Sequence, residues 1–134
     1  MKIEWTQNLS VSVKLLDKQH QTLLAIMNEM YEALDKGIEK IVIGKILAEL
    51  TDFAKFHFAT EEKYFEMYHY EGTTEHIIEH KKILTKVSEL SEQQKAGENL
   101  LAIEVLFFLE DWLKQHLMKV DRQYIPCFHE HGLK

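Results

Sequence analysis

The sequence predicts an all-α fold, an antiparallel up-down-up-down four-helix bundle with an N-terminal arm and a short C-terminal segment. Three observations lead there. Apolar residues recur at intervals of three and four through four long stretches, the period of an amphipathic helix. Turn residues separate those stretches at short intervals, and the one proline, Pro126, stands outside all four. No comparable stretch alternates with the period of two that a strand requires. Four amphipathic helices joined by short connections pack as antiparallel neighbours.

The arm comprises residues 1–15, where Trp5 and the alternation of Leu9, Val11 and Val13 predict a segment lying over the body. The bundle occupies 16–121. Its first stripe is Leu16, His20, Leu23, Met27, Met30 and Leu34. Asp17 suits the positive end of the helix dipole, and Gly37 supplies a stop. The second stripe is Ile43, Ile46, Leu50, Phe53, His57, Glu61 and Tyr64, with Gly44 a small cost near its start. The stretch from Met67 to Gly72 breaks the period and is predicted to turn. Thr73 or Thr74 is the expected N-cap of the third helix, whose stripe is His76, His80, Ile83, Val87 and Leu90 and which Gly97 closes. The fourth stripe is Leu101, Val105, Leu109, Trp112 and His116, and it runs on to Asp121. Residues 122–134 make the terminal segment, with one or two further helical turns. The whole of 1–134 is expected to be a single domain.

Composition narrows the function. Hydrophobic residues at 46% and charged residues at 28% are those of a soluble globular chain. A net charge of −6 argues against a nucleic-acid or anionic-membrane partner, both of which call for basic patches. No Gly-rich phosphate loop, signal peptide or bilayer-length apolar run is seen. A single cysteine, Cys127, cannot close an intramolecular disulfide, so a cytoplasmic location is expected. Eight histidines are more than a surface needs.

Their positions carry the chemistry. His57 and Glu61 are one helical turn apart and leave the same face, as do His76 and His80. In an antiparallel pair, level residues lie equally far from the turn. The midpoint of His20 and His57 falls just past Gly37, that of Glu61 and His76 within the stretch from Met67 to Gly72, and that of His80 and His116 beside Gly97. All four helices therefore bring their candidates to one layer. A lone histidine on an apolar stripe is ordinarily a hydrogen-bonded core residue. Five imidazoles with Glu61 and Asp121 are different, because two buried carboxylates without compensation cost several kcal/mol each. Cations remove that penalty. Seven ligands exceed what one ion accepts. Two ions sharing both carboxylates fit the count, and a solvent-derived bridge then leaves one position open for a small ligand. His116 and Asp121 are five apart, which requires either a π-type widening of the helix or a reach from another angle. Zinc accepts the same donors as iron, so the metal stays open on spacing alone.

Taken together, Asp17-Lys18-Gln19-His20, the His57–Glu61 pair, the His76–His80 pair, the run from Trp112 through His116 to Asp121 and Tyr124, and the early Trp5 resemble the hemerythrins, specifically the single-domain bacteriohemerythrins. The likeness spans nearly the whole chain. It implies a four-helix bundle and a non-haem centre of two iron ions with an oxo or hydroxo bridge, binding O2 reversibly. By that resemblance His76, His80 and His116 bind one iron, His20 and His57 bind the other and leave it open, and Glu61 and Asp121 bridge both.

Leu23, Phe58, Trp112, Leu113 and Leu117 lie near these residues and either wall a dry O2 pocket or simply belong to the bundle core. Gln19 or a backbone carbonyl is expected to orient a ligand histidine, and Tyr124 either bonds near the centre or packs under the terminal segment. His69, His129 and His131 are expected on the surface. The expected function is oxygen transport, storage, delivery or sensing rather than catalysis, with an O2-consuming enzyme as a conceivable recipient. The competing readings are a di-iron enzyme acting on NO or peroxide, and a metal-storage protein.

Overall fold

A computed structural model describes residues 2–97 and 101–134. Helix α1 spans Lys14–Asp35, α2 Glu39–Tyr68, α3 Thr73–Lys95 and α4 Leu101–Asp111, and no strand occurs among the described residues. α4 continues without a break as a π-helix over Trp112–Val120 and a 3-10 turn over Asp121–Tyr124, after which α5 covers Ile125–Glu130. α1 packs on α2, α2 on α3, α3 on α4, and α4 returns to α1. This is the expected four-helix bundle.

The stops are where the glycines stand. Gly37 and Gly97 follow α1 and α3 with φ of 71° and 76°, left-handed values that a residue without Cβ adopts at no steric cost. His69 serves the same purpose after α2 at φ 51°. Four details differ from the expectation. α1 begins at Lys14, inside the stretch assigned to the arm, because Asp17 works from within the first turn: its carboxylate accepts Val11 N–H at 2.7 Å and the Ser10 hydroxyl at 2.5 Å. α2 persists to Tyr68, so the turn is shorter than predicted. The N-cap of α3 is Gly72, not either threonine; Thr73 is already helical, and its hydroxyl donates back to the Tyr70 carbonyl at 2.5 Å. Phe65, not Tyr64, takes the inward position after Glu61, being fully buried while Tyr64 is half-buried. A step of four keeps residue 65 on the face of residue 61. The side chain of Leu101, assigned to the inward stripe, lies outside the described residues.

Two apolar clusters result. The larger fills most of the bundle and includes Leu23, Met27, Ile46, Leu50, Phe58, Leu109 and Trp112. The smaller joins Val11, Val13 and Leu16 to Phe65, Tyr124 and Phe128. The arm is tied along its length. Ile3 exchanges two hydrogen bonds with the Asn28 amide at 2.8 and 2.9 Å, Arg122 donates to the Asn8 carbonyl, and His129 to the Ser12 carbonyl at 2.7 Å. Trp5 packs on the larger cluster, as the arm reading requires.

Candidate metal centre

The layer predicted from the midpoints lies between the two clusters. α1 supplies His20, α2 His57 and Glu61, α3 His76 and His80, and the widened end of α4 His116 and Asp121. None of the seven is more than 3% exposed. The five-residue spacing of His116 and Asp121 is met by the π-helix: Asp121 N–H donates to the His116 carbonyl, the i to i+5 bond that defines it. Both side chains thereby face inward, with His116 Nε2 3.0 Å from Asp121 Oδ1.

Two groups of donor atoms can each hold a metal ion. One is Glu61, His76, His80 and His116; the other is His20, His57, Glu61 and Asp121; within each the atoms lie no more than 4.8 Å apart. Glu61 belongs to both. Asp121 also faces both sides, with Oδ1 3.0 Å from His76 Nε2 and from His116 Nε2, and Oδ2 3.2 Å from His20 Nε2.

Hydrogen bonds outside the layer set the ring tautomers. The Thr60 hydroxyl donates to the Phe56 carbonyl at 3.0 Å and accepts from Gln19 Nε2 at 3.3 Å, which turns the Gln19 carbonyl oxygen toward His57 Nδ1 at 2.6 Å. Nδ1 is then the donor, and Nε2 presents a lone pair. It faces His20 Nε2 at 3.0 Å. His80 Nδ1 likewise donates to Glu62 Oε2 at 2.7 Å, aiming its Nε2 lone pair at Glu61 Oε1 at 3.0 Å. Lone pairs facing one another, or facing a carboxylate, repel unless a proton or a cation lies between them. The remaining polar atoms concur: Glu61 Oε2, both Asp121 oxygens and Nε2 of His76 and His116 are buried with no hydrogen-bond partner among the described residues. Burial without partners is costly for any of them and suits ligand atoms. The donor set therefore fits a pair of cations.

The protein's own electrostatics lean the same way. Burial, outweighing the Glu61 carboxylate, lowers the His57 pKa to about 4 and keeps the ring neutral. At His76 burial is overcome by the neighbouring Asp121 and Glu61 carboxylates, and the pKa rises to about 9. Asp121 is held well below the usual carboxylate range because the neighbouring imidazoles, His116 foremost, outweigh its burial. Protonated imidazoles thus balance the carboxylates where metal ions are not bound.

Aromatic contacts rigidify the layer. The Phe58 ring stacks on His80 at 3.8 Å between centroids and lies 5.9 Å from His57 and from His116, so one side chain touches both halves. Phe53 stacks on His57 at 5.3 Å. From the smaller cluster, Phe65 approaches His76 at 4.7 Å and Tyr124 approaches it at 5.7 Å.

Residues 11–128 match the family described as Hemerythrin HHE cation binding domain. The chain belongs to the hemerythrin family. It is 32% identical to a bacteriohemerythrin of Methylococcus capsulatus over 92% of this chain and 94% of the other. It is 30% identical to a bacteriohemerythrin of Clostridium acetobutylicum over 90% and 97%. A crystal structure of a wild-type hemerythrin superposes with a TM-score of 0.84 at 31% identity, covering 93% of this chain and 96% of that one.

In this hemerythrin chain all seven candidate ligands meet. Leu23, Phe58, Trp112, Leu113 and Leu117 are buried members of the larger cluster, and Phe58 abuts the layer. Tyr124 is fully buried, and its ring packs parallel to Phe128 under the terminal segment, with the pKa driven well above its ordinary value by burial and the Glu61 and Asp121 carboxylates. His69 and His131 are exposed and His129 half-buried, none of them in the layer. Glu62 escaped the sequence reading. The adjacent acids Glu61-Glu62 beside His57 were the available signal, but period alone sends the second of them to solvent. No helix among the described residues is long and apolar enough to cross a membrane.

Proposed function

We propose that this chain binds O2 reversibly at a non-haem di-iron centre. His76, His80 and His116 would hold one iron and His20 and His57 the other, with Glu61 and Asp121 available to both. The observation that carries the reading is the shared pair of carboxylates: Glu61 lies within both donor groups, and the two oxygens of Asp121 face opposite halves. When bound, the two ferrous ions supply the electrons that O2 takes up and gives back.

This chain's residues do the rest. Three imidazoles serve one half and two the other, so the His20/His57 half is left the position for a small ligand. Imidazole-rich ligation carries less negative charge than the carboxylate-rich sites of ferritin-like bundles, and so favours highly oxidised iron less. Leu23, Phe58, Trp112, Leu113 and Leu117 exclude water from the layer, which slows loss of reduced oxygen. The whole of 1–134 acts as one domain in oxygen carriage, storage, sensing or delivery to an O2-consuming enzyme. Apoprotein loaded with ferrous iron under argon and then exposed to air is expected to develop charge-transfer bands that fade on return to argon. A protein with two irons per chain that stays colourless in air overturns the proposal.

A further inference from the structure

Among the described residues, two of the five layer histidines have an outer hydrogen-bond partner. Nδ1 of His20, His76 and His116 is buried without one, whereas His57 Nδ1 meets Gln19 at 2.6 Å and His80 Nδ1 meets Glu62 at 2.7 Å. These partners differ in charge. Gln19 offers a neutral carboxamide oxygen, itself oriented by Thr60. Glu62 offers a carboxylate, and His80 is caught between successive acids of α2, Glu61 on Nε2 and Glu62 on Nδ1. A hydrogen bond to an ionised acceptor is stronger than one to a neutral acceptor, and a carboxylate on the far nitrogen makes an imidazole a better electron donor at the near one.

We infer that Glu62 and Gln19 are a matched pair of positioning residues that make the two halves of the centre electrically unequal, Glu62 through His80 and Gln19 through His57. Each fixes a tautomer that aims Nε2 into the layer. Only Glu62 adds a negative charge, and it adds it to the half that already has three imidazoles. The half with two imidazoles keeps the weaker donor set. The Glu62 side chain is 37% exposed, so its replacement disturbs an edge and not the core. The inference rests on the ligand reading above, in which His80 and His57 belong to different metals.

Zinc titration of the apoprotein against a chromophoric chelator tests positioning without any O2 chemistry, with helical circular dichroism confirming the fold of each variant. His80→Ala is expected to lose or greatly weaken one of two zinc equivalents. Glu62→Ala is expected to weaken one equivalent tenfold to a hundredfold, the usual effect of removing an outer partner of a metal-bound histidine. Glu62→Gln, which still accepts from Nδ1, is expected to recover most of that loss. In iron-loaded protein Glu62→Gln should raise the reduction potential and Gln19→Glu should lower it. If His80→Ala loses an equivalent while Glu62→Ala binds as the wild type does, the positioning role is overturned and the ligand reading stands. Unchanged potentials in both charge-altering variants overturn the claim of unequal halves. If His80→Ala keeps both equivalents, the ligand reading fails, and the role of Glu62 falls with it.

Discussion

Asp121 shows how much one side chain decides. Its two oxygens face opposite halves of the layer, and among the described residues their ion-pair partners are imidazole nitrogens. His57 is its counterpart on α2, neutral by burial and held by Gln19. His57→Ala should therefore abolish reversible O2 binding while far-ultraviolet circular dichroism remains helical; retained binding would remove His57 from the ligand set. Leu113 is 7% exposed and one turn before His116 and Leu117. Leu113→Ala should cost about 2–4 kcal/mol in urea unfolding through the cavity it leaves, and autoxidation should quicken as water gains entry. An unchanged autoxidation rate would reduce Leu113 to plain core. The seven layer residues were legible in the sequence because inward position and distance from a turn are properties of spacing. Glu62 was not, because it reaches sideways from the flank of α2 to His80 on α3, and a helical period records only which face a residue leaves from.

Elements show the same division. Four helices and their glycine stops follow from period and turn chemistry. The widening of α4 does not, since a gap of five between His116 and Asp121 fits either a π-helix or a side chain reaching from another angle, and only the backbone separates the two. The α3 cap was misplaced because a threonine hydroxyl serves a turn carbonyl as well as a helix end, and Thr73 chose the turn. Between elements, the tie from α1 to α4 was invisible. The Tyr31 hydroxyl donates to Glu110 Oε1 at 2.6 Å, across a separation of 79 residues. Burial, the hydrogen bond and the charge of Glu110 together raise the Tyr31 pKa from 10.0 to about 12. Because the folded value lies above the unfolded one, this stabilisation is fully present below about pH 10 and is lost as pH rises through about 12. Tyr31→Phe should cost about 1 kcal/mol at pH 8, the pair being part-buried. The difference from wild type should shrink toward pH 12. A difference that holds constant across that range would show that Tyr31 contributes by packing alone.

At the scale of the whole molecule, the centre sits where two apolar clusters meet, and it joins all four helices. An ion bound there stabilises the fold as a cross-link would, because it binds the folded chain and not the unfolded one. At a hundredfold excess over its dissociation constant, each site contributes about 2.7 kcal/mol, so two contribute about 5 kcal/mol. For a chain of 134 residues this corresponds to a rise in Tm of about 15–20 °C. Stripping the metal should not abolish the fold, because the larger apolar cluster fills most of the bundle and protonated His76 partly offsets Glu61 and Asp121. Thermal unfolding of chelated and metal-loaded protein should therefore give two helical forms well separated in Tm. The loaded form should rise further as free metal increases and level off in its iron content at two per chain. Coincident melting curves would mean that the seven side chains hold no ion tightly enough to matter to the bundle, and the layer would then have to be explained by proton sharing among His76, His116, Glu61 and Asp121.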